Sequence, residues 1–130
     1  MLTVLVEEQE IGIIVSEQEY DFDGNVHGPD VTLIGADKLH LFDPDRRVQL
    51  FIPDLAIEIV SANDKFESLM EKADRYRRCG TKEVWVLSPK TRRAFVQSEN
   101  GEAILGVDRV FESKLIPDFA IGLAGLFDRT

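Results

Sequence analysis

The sequence predicts a single α/β domain in which a mixed β-sheet is flanked by helices. Two observations carry this prediction. The chain has 130 residues, the size of one domain, and its 44% hydrophobic content is enough for one core. Its apolar runs also follow the order β, β, β, α, β, β, β, with no repeats, low-complexity tracts or linkers between them.

Taken in order, residues 2–6 (Leu2, Val4, Leu5, Val6) fit either the last turns of a helix or a short strand. Ile11 to Val15 is a compact β-branched run and predicts a strand, bounded by the polar cluster Glu17 to Gly28. Val31 to Ile34 predicts a second strand, with Pro29 at its entry, where a missing N–H is harmless. Ala36 to Leu41 suits a short helical turn before Asp43-Pro44-Asp45. Leu55 to Val60 is the most apolar run in the chain and predicts a strand buried on both faces.

A helix follows, with Phe66, Leu69, Met70, Ala73 and Tyr76 at helical spacing and Gly80 as the stop. Asn63 or Asp64 is the expected cap, and Glu67 is placed to complete a capping box with Asp64. Val84 to Leu87 predicts a strand. Ala94-Phe95-Val96 and Ala103-Ile104-Leu105 pair as a hairpin across Glu99-Asn100-Gly101. A short strand is expected near Lys114 to Ile116, before a terminal apolar segment, Phe119 to Phe127.

Composition narrows the functional classes. The lone Cys79 forms no internal disulfide, no stretch approaches the roughly 20 apolar residues that span a bilayer, and the N-terminus lacks the order of a signal peptide. A cytoplasmic protein that binds no membrane is the expectation. The net charge of -9 argues against nucleic-acid binding through overall charge, but the distribution is uneven. Between Asp64 and Arg93 nine basic residues face five acids, an excess of +4, so the remainder carries -13. Such asymmetry suits an acidic pocket beside a basic rim, and equally suits solvated helix and strand faces. The absence of a glycine-rich phosphate loop argues against an NTPase. His27 and His40 have no Cys or His partner at zinc-like spacing, and Trp85 is most simply core.

Glu58 is the residue hardest to explain as structure. An ionised carboxylate inside a doubly buried strand costs several kcal/mol unless a cation or hydrogen bonds compensate it. Period-two alternation puts it on one face with Asp54, Ala56 and Val60. Asp30 opens another strand, and adjacent strands can bring two such carboxylates together. Two converging acids repel unless a hard divalent cation lies between them, and oxygen ligands suit magnesium or manganese. The plainer alternative leaves Glu58 in solvent or paired with a lysine such as Lys72.

The blocks Gly28-Pro29-Asp30-Val31 and Pro53 to Ser61, then Glu71-Lys72, Tyr76, Gly80 and Lys82 to Val86, are similar in their joint spacing to the core of the Uma-type family of restriction endonucleases. That family is a branch of the PD-(D/E)xK nuclease superfamily. The segment Leu115 to Phe119 and on to Phe127 resembles the family's C-terminal part, so the resemblance runs from about residue 2 to residue 127. It implies a restriction-endonuclease-like core and magnesium- or manganese-dependent hydrolysis of DNA phosphodiesters. Asp30 and Glu58 are then metal ligands, joined by the backbone carbonyl of Ile59. Lys72 orients water or stabilises the transition state, and Asp54 and Ser61 are supports.

The sequence departs from the pattern at two places. Val60 occupies the superfamily's lysine position, so Lys72 on the following helix stands in, with Lys65 two turns earlier as the spare candidate. Lys72 also reads as a solvated helix lysine paired with Asp74, Glu71 or Glu58. Family members moreover carry a segment before the position of Leu2, and its absence predicts uncovered sheet surface and a homodimer that re-covers it. The competing expectation is a truncated nuclease fold that serves as a binding or dimerisation module.

Overall fold

The computed structural model describes residues 11–106, 108, 110–113, 115 and 120–122. The expected element at residues 2–6, both ends of the expected strand at 114–116 and most of the terminal apolar segment lie outside the described residues. The chain runs β1 (Gly12–Ser16), β2 (Glu19–Phe22), β3 (Asn25–His27), β4 (Val31–Gly35), a 3-10 turn (Ala36–Leu41), β5 (Val48–Gln49), β6 (Leu55–Ile59), helix α1 (Phe66–Cys79), β7 (Glu83–Ser88), β8 (Arg93–Ser98), β9 (Gly101–Leu105), β10 (Val110–Glu112) and β11 (Ala120–Gly122). Six strands form the main sheet in the order β1-β4-β6-β7-β8-β9. Its neighbours are antiparallel except β6 and β7, and α1 is the crossover that this parallel pair requires.

β6 is buried on both faces, as its composition predicts. Leu55 and Ile57 pack with Leu33, Trp85 and Ala94 on one side. Ala56 on the other side meets Tyr20, Phe22, Tyr76, Val84 and Val86. Helix α1 covers this second face through Leu69, Ala73 and Tyr76, and each large apolar side chain so buried contributes about 1.5–3 kcal/mol. The helix ends where Gly80 takes φ 117°, with its amide on the Arg77 carbonyl and that of Thr81 on the Tyr76 carbonyl. Trp85 is core, and its indole N–H is satisfied by Glu83 Oε1 at 2.7 Å.

Two local expectations need correction. The polar cluster Glu17 to Gly28 is not a boundary: it contains the β2–β3 hairpin, turned by Asp23 and Gly24 at φ 54° and 88°. Asp-Gly is the dipeptide that tolerates such a turn, and Tyr20 and Phe22 alternate into the core between the acids. At the helix start, Lys65 and neither Asn63 nor Asp64 is the N-cap, without a side-chain cap bond. The Asp64 carboxylate is drawn backwards instead, accepting from Ser61 N at 2.8 Å and Ser61 Oγ at 3.0 Å.

Candidate active site

The register of the central strands brings two acids to one place. Val31 lies opposite Ile57 and Thr32 opposite Ala56, so the same antiparallel count sets Asp30 against Glu58. Both follow the alternation of Thr32 and Ala56, on the face covered by α1. The two residues interlock. The Asp30 amide donates to Glu58 Oε1 at 3.1 Å, and Asp30 Oδ2 accepts from the Ile59 amide at 2.6 Å.

Glu58 is only 5% exposed, yet its other oxygen meets Tyr76, whose hydroxyl donates to Oε2 at 3.4 Å. Burial pushes the Glu58 carboxyl above the usual range. The Asp30 amide works against that shift and the Asp30 charge adds to it, while Lys72 and the Tyr76 hydroxyl favour the ionised form. The Tyr76 hydroxyl is itself raised, first by burial and then by the charge of Glu58. It therefore stays a proton donor at neutral pH.

Lys72 is half-buried on α1, one turn before Tyr76. Its positive charge favours the ionised forms of Glu58 and Asp64 and the neutral form of His27. Lys65 is exposed at the helix start and is not among the charges acting on Glu58. Val60 packs against the helix-face core, so no cation comes from that position.

The remaining candidates lie elsewhere. Asp54 is at the opposite end of β6, 3% exposed, with Lys38 Nζ at 2.6 Å and Lys82 Nζ at 4.0 Å. Its backbone carbonyl receives the amides of Lys82 and Glu83 at 2.9 and 3.2 Å, so it ties the starts of β6 and β7 together. Ser61 is exposed and occupied with Asp64. Ile59 is 41% exposed immediately beyond Glu58.

Three residues at the site were given no role in it from the sequence. Tyr76 was absorbed into the apolar stripe of the helix, although its place four residues after Lys72 marks it as a neighbour on the same face. His27 sits in β3, with its ring 5.8 Å from that of Tyr76 and Nε2 2.8 Å from Arg75 Nη1. Its pKa is lowered by burial, then by Arg75 and Lys72, so the neutral ring accepts the Arg75 N–H. No local sequence signal places His27 or Arg75 there, because both depend on the β2–β3 hairpin folding over the helix.

The donor chemistry fits a hard divalent cation. Two carboxylates share one face at one strand end, and the buried one is opposed by desolvation and by its neighbour's charge, both of which such an ion relieves. No group of three or more His, Cys, Asp or Glu side chains gathers among the described residues. Further ligands for an ion here would be backbone carbonyls and water.

A mixed sheet crossed by one helix, with an interlocked pair of acids at a central strand end, defines an α/β protein. The family model described as "putative restriction endonuclease", Uma2, matches residues 1–124, and the chain belongs to that family. Among solved structures, it is similar to a crystal structure described as a putative nuclease belonging to DUF820 from Anabaena variabilis ATCC 29413. The TM-score is 0.87 at 17% identity, over 98% of this chain and 74% of that one. A comparison with curated proteins gives no match. No helix among the described residues is long and apolar enough to cross a membrane.

Proposed function

We propose that this chain is a metal-dependent endonuclease of the PD-(D/E)xK type that hydrolyses DNA phosphodiester bonds. The observation that carries the reading is the interlock of Asp30 with the buried Glu58. Family membership and the nuclease description of the structural neighbour agree with it. Asp30, Glu58 and the Ile59 carbonyl are the residues that would hold magnesium or manganese. Such an ion supplies a Lewis acid and a bound water of lowered pKa.

The chain's own groups do the rest. The Asp30 and Ile59 amides and the Tyr76 hydroxyl fix the two carboxylates, so no reorganisation is needed when substrate arrives. Lys72, whose charge acts on Glu58, would hold the attacking water or a phosphate oxygen. His27, neutral and anchored by Arg75, closes the far side of Tyr76. Asp54 and Ser61 act on this reading through the backbone, Asp54 by fixing the start of β6 and Ser61 by shaping the turn after it. A homodimer belongs to the same reading, with the exposed Leu39, Leu41 and Leu50 as apolar surface, and a monomer in micromolar sedimentation counts against it.

The test is plasmid cleavage with manganese or magnesium. Wild type should cut in metal and not in EDTA, and Asp30→Asn and Glu58→Gln should each lower the rate by on the order of 100-fold or more. Cutting by Glu58→Gln at the wild-type rate overturns the proposal. A non-catalytic module is the second reading, favoured by Val60 at the lysine position. It gains if the wild type, folded and loaded with metal, cuts neither duplex nor single strands.

A further inference from the structure

The sheet face that carries Glu58 continues into a groove. Glu58 lies opposite Val86, and Val86 opposite Phe95; two residues on, Ser88 lies opposite Arg93, with Val60 beside them on the same face. This second row, Lys90 in the β7–β8 turn and Phe66 in the first turn of α1 enclose a cavity of about 530 Å³. Strand spacing sets Arg93 roughly 10–12 Å from Glu58 along the sheet. A cavity of this volume falls in the range that accepts a nucleotide-sized ligand.

Two independent features distinguish the groove. Lys90 and Arg93 are exposed, and neither ion-pairs with a described carboxylate. Asp64, also on its wall, has its carboxylate turned onto Ser61. Phe66 remains 42% exposed although its ring packs on Phe95, centroids 4.8 Å apart at 58°. An open aromatic face beside two unpaired cations matches a base and its phosphate, since stacking uses the ring and phosphate the charges.

We infer that this groove receives an unpaired nucleotide of the substrate strand, its phosphate between Lys90 and Arg93 and its base against Phe66; the inference rests on the nuclease reading above. A paired base is covered on both faces by its neighbours in the duplex and cannot lie on the ring. The substrate class is therefore DNA that is single-stranded or opened beside the cut.

Fluorescence anisotropy with a short labelled oligothymidylate and with a duplex of the same length, both in EDTA, separates binding from cutting. The single strand should bind more tightly than the duplex. Phe66→Leu, which keeps apolar volume on Phe95, should weaken single-strand binding by about tenfold with little effect on the duplex. The double variant Lys90→Gln/Arg93→Gln should reduce the salt dependence, as expected on losing about two phosphate contacts. Thermal melting of each variant at the wild-type temperature establishes that it is folded. Equal affinity for duplex and single strand, or no effect of Phe66→Leu, overturns the inference. If cleavage depends on Glu58 while Phe66→Leu changes nothing, the groove assignment fails and the nuclease reading stands. Loss of single-strand binding in Phe66→Leu, with no cutting by the wild type, supports the groove and removes the nuclease.

Discussion

Asp30 and Glu58 hold each other through the backbone: the amide of Asp30 binds Glu58 Oε1 at 3.1 Å, and the carboxylate of Asp30 binds the amide of the residue after Glu58 at 2.6 Å. Each acid is positioned by the other's strand. The pair therefore depends on the β4–β6 register, and a slip of one residue would turn one carboxylate to the opposite face.

The raised pKa of Glu58 makes stability pH-dependent with a definite sign. Its carboxyl binds a proton more tightly folded than unfolded, so stability falls as pH rises from the unfolded value, about 4.3, through the raised folded value. Below the unfolded value this contribution is flat. Thermal melting across about pH 4 to 8 should show the decline in wild type and a shallower one in Glu58→Gln. Identical profiles would show that Glu58 is not the group responsible.

Metal should offset that penalty at neutral pH. A divalent ion at 100 times its dissociation constant stabilises the folded state by about 2.7 kcal/mol, so manganese should raise the melting temperature of wild type by several degrees. Glu58→Gln and Asp30→Asn should respond little. An equal rise in all three proteins would place the ion elsewhere.

Tyr76→Phe keeps the ring, which lies 4.4 Å from that of Phe22, and removes only the hydroxyl on Glu58 Oε2. The expected loss is about 1 kcal/mol in urea unfolding, together with a further rise in the Glu58 pKa. Tyr76→Ala, which also empties a fully buried site, should cost about 3–5 kcal/mol. A loss for Tyr76→Phe as large as for Tyr76→Ala would mean that the hydroxyl has a structural role beyond this bond.

Lys38→Ala should be a stability variant. It leaves Asp54 buried with only Lys82 at 4.0 Å, and breaking a buried pair from one side costs about 3 kcal/mol. Urea unfolding of Lys38→Ala beside Lys82→Ala checks this, because the exposed Lys82 should contribute little. Equal effects of the two would assign the Asp54 charge to Lys82.

Much of this arrangement was legible in the chain. The run Leu55 to Val60 announces a doubly buried strand, and the single charge within it draws attention to Glu58. The helical spacing from Phe66 to Tyr76 and the stop at Gly80 give α1. Harder to see was what depends on distant partners. Asp54 lies on the same face as Glu58 by alternation, but Lys38, sixteen positions earlier, holds it at the other strand end. The β2–β3 hairpin was masked by its acids, although Asp23-Gly24 and the alternation of Tyr20 and Phe22 carried the signal. Asp64 has the residue type of a helix cap, but Ser61 offers its carboxylate two donors at once.

The central claim is that a cation compensates the buried charge of Glu58. Calorimetric titration of manganese into wild type, Asp30→Asn and Glu58→Gln tests it most directly. One saturable site in the wild type, lost in both variants while their folds persist, is the predicted result; binding that survives either substitution unchanged would contradict it.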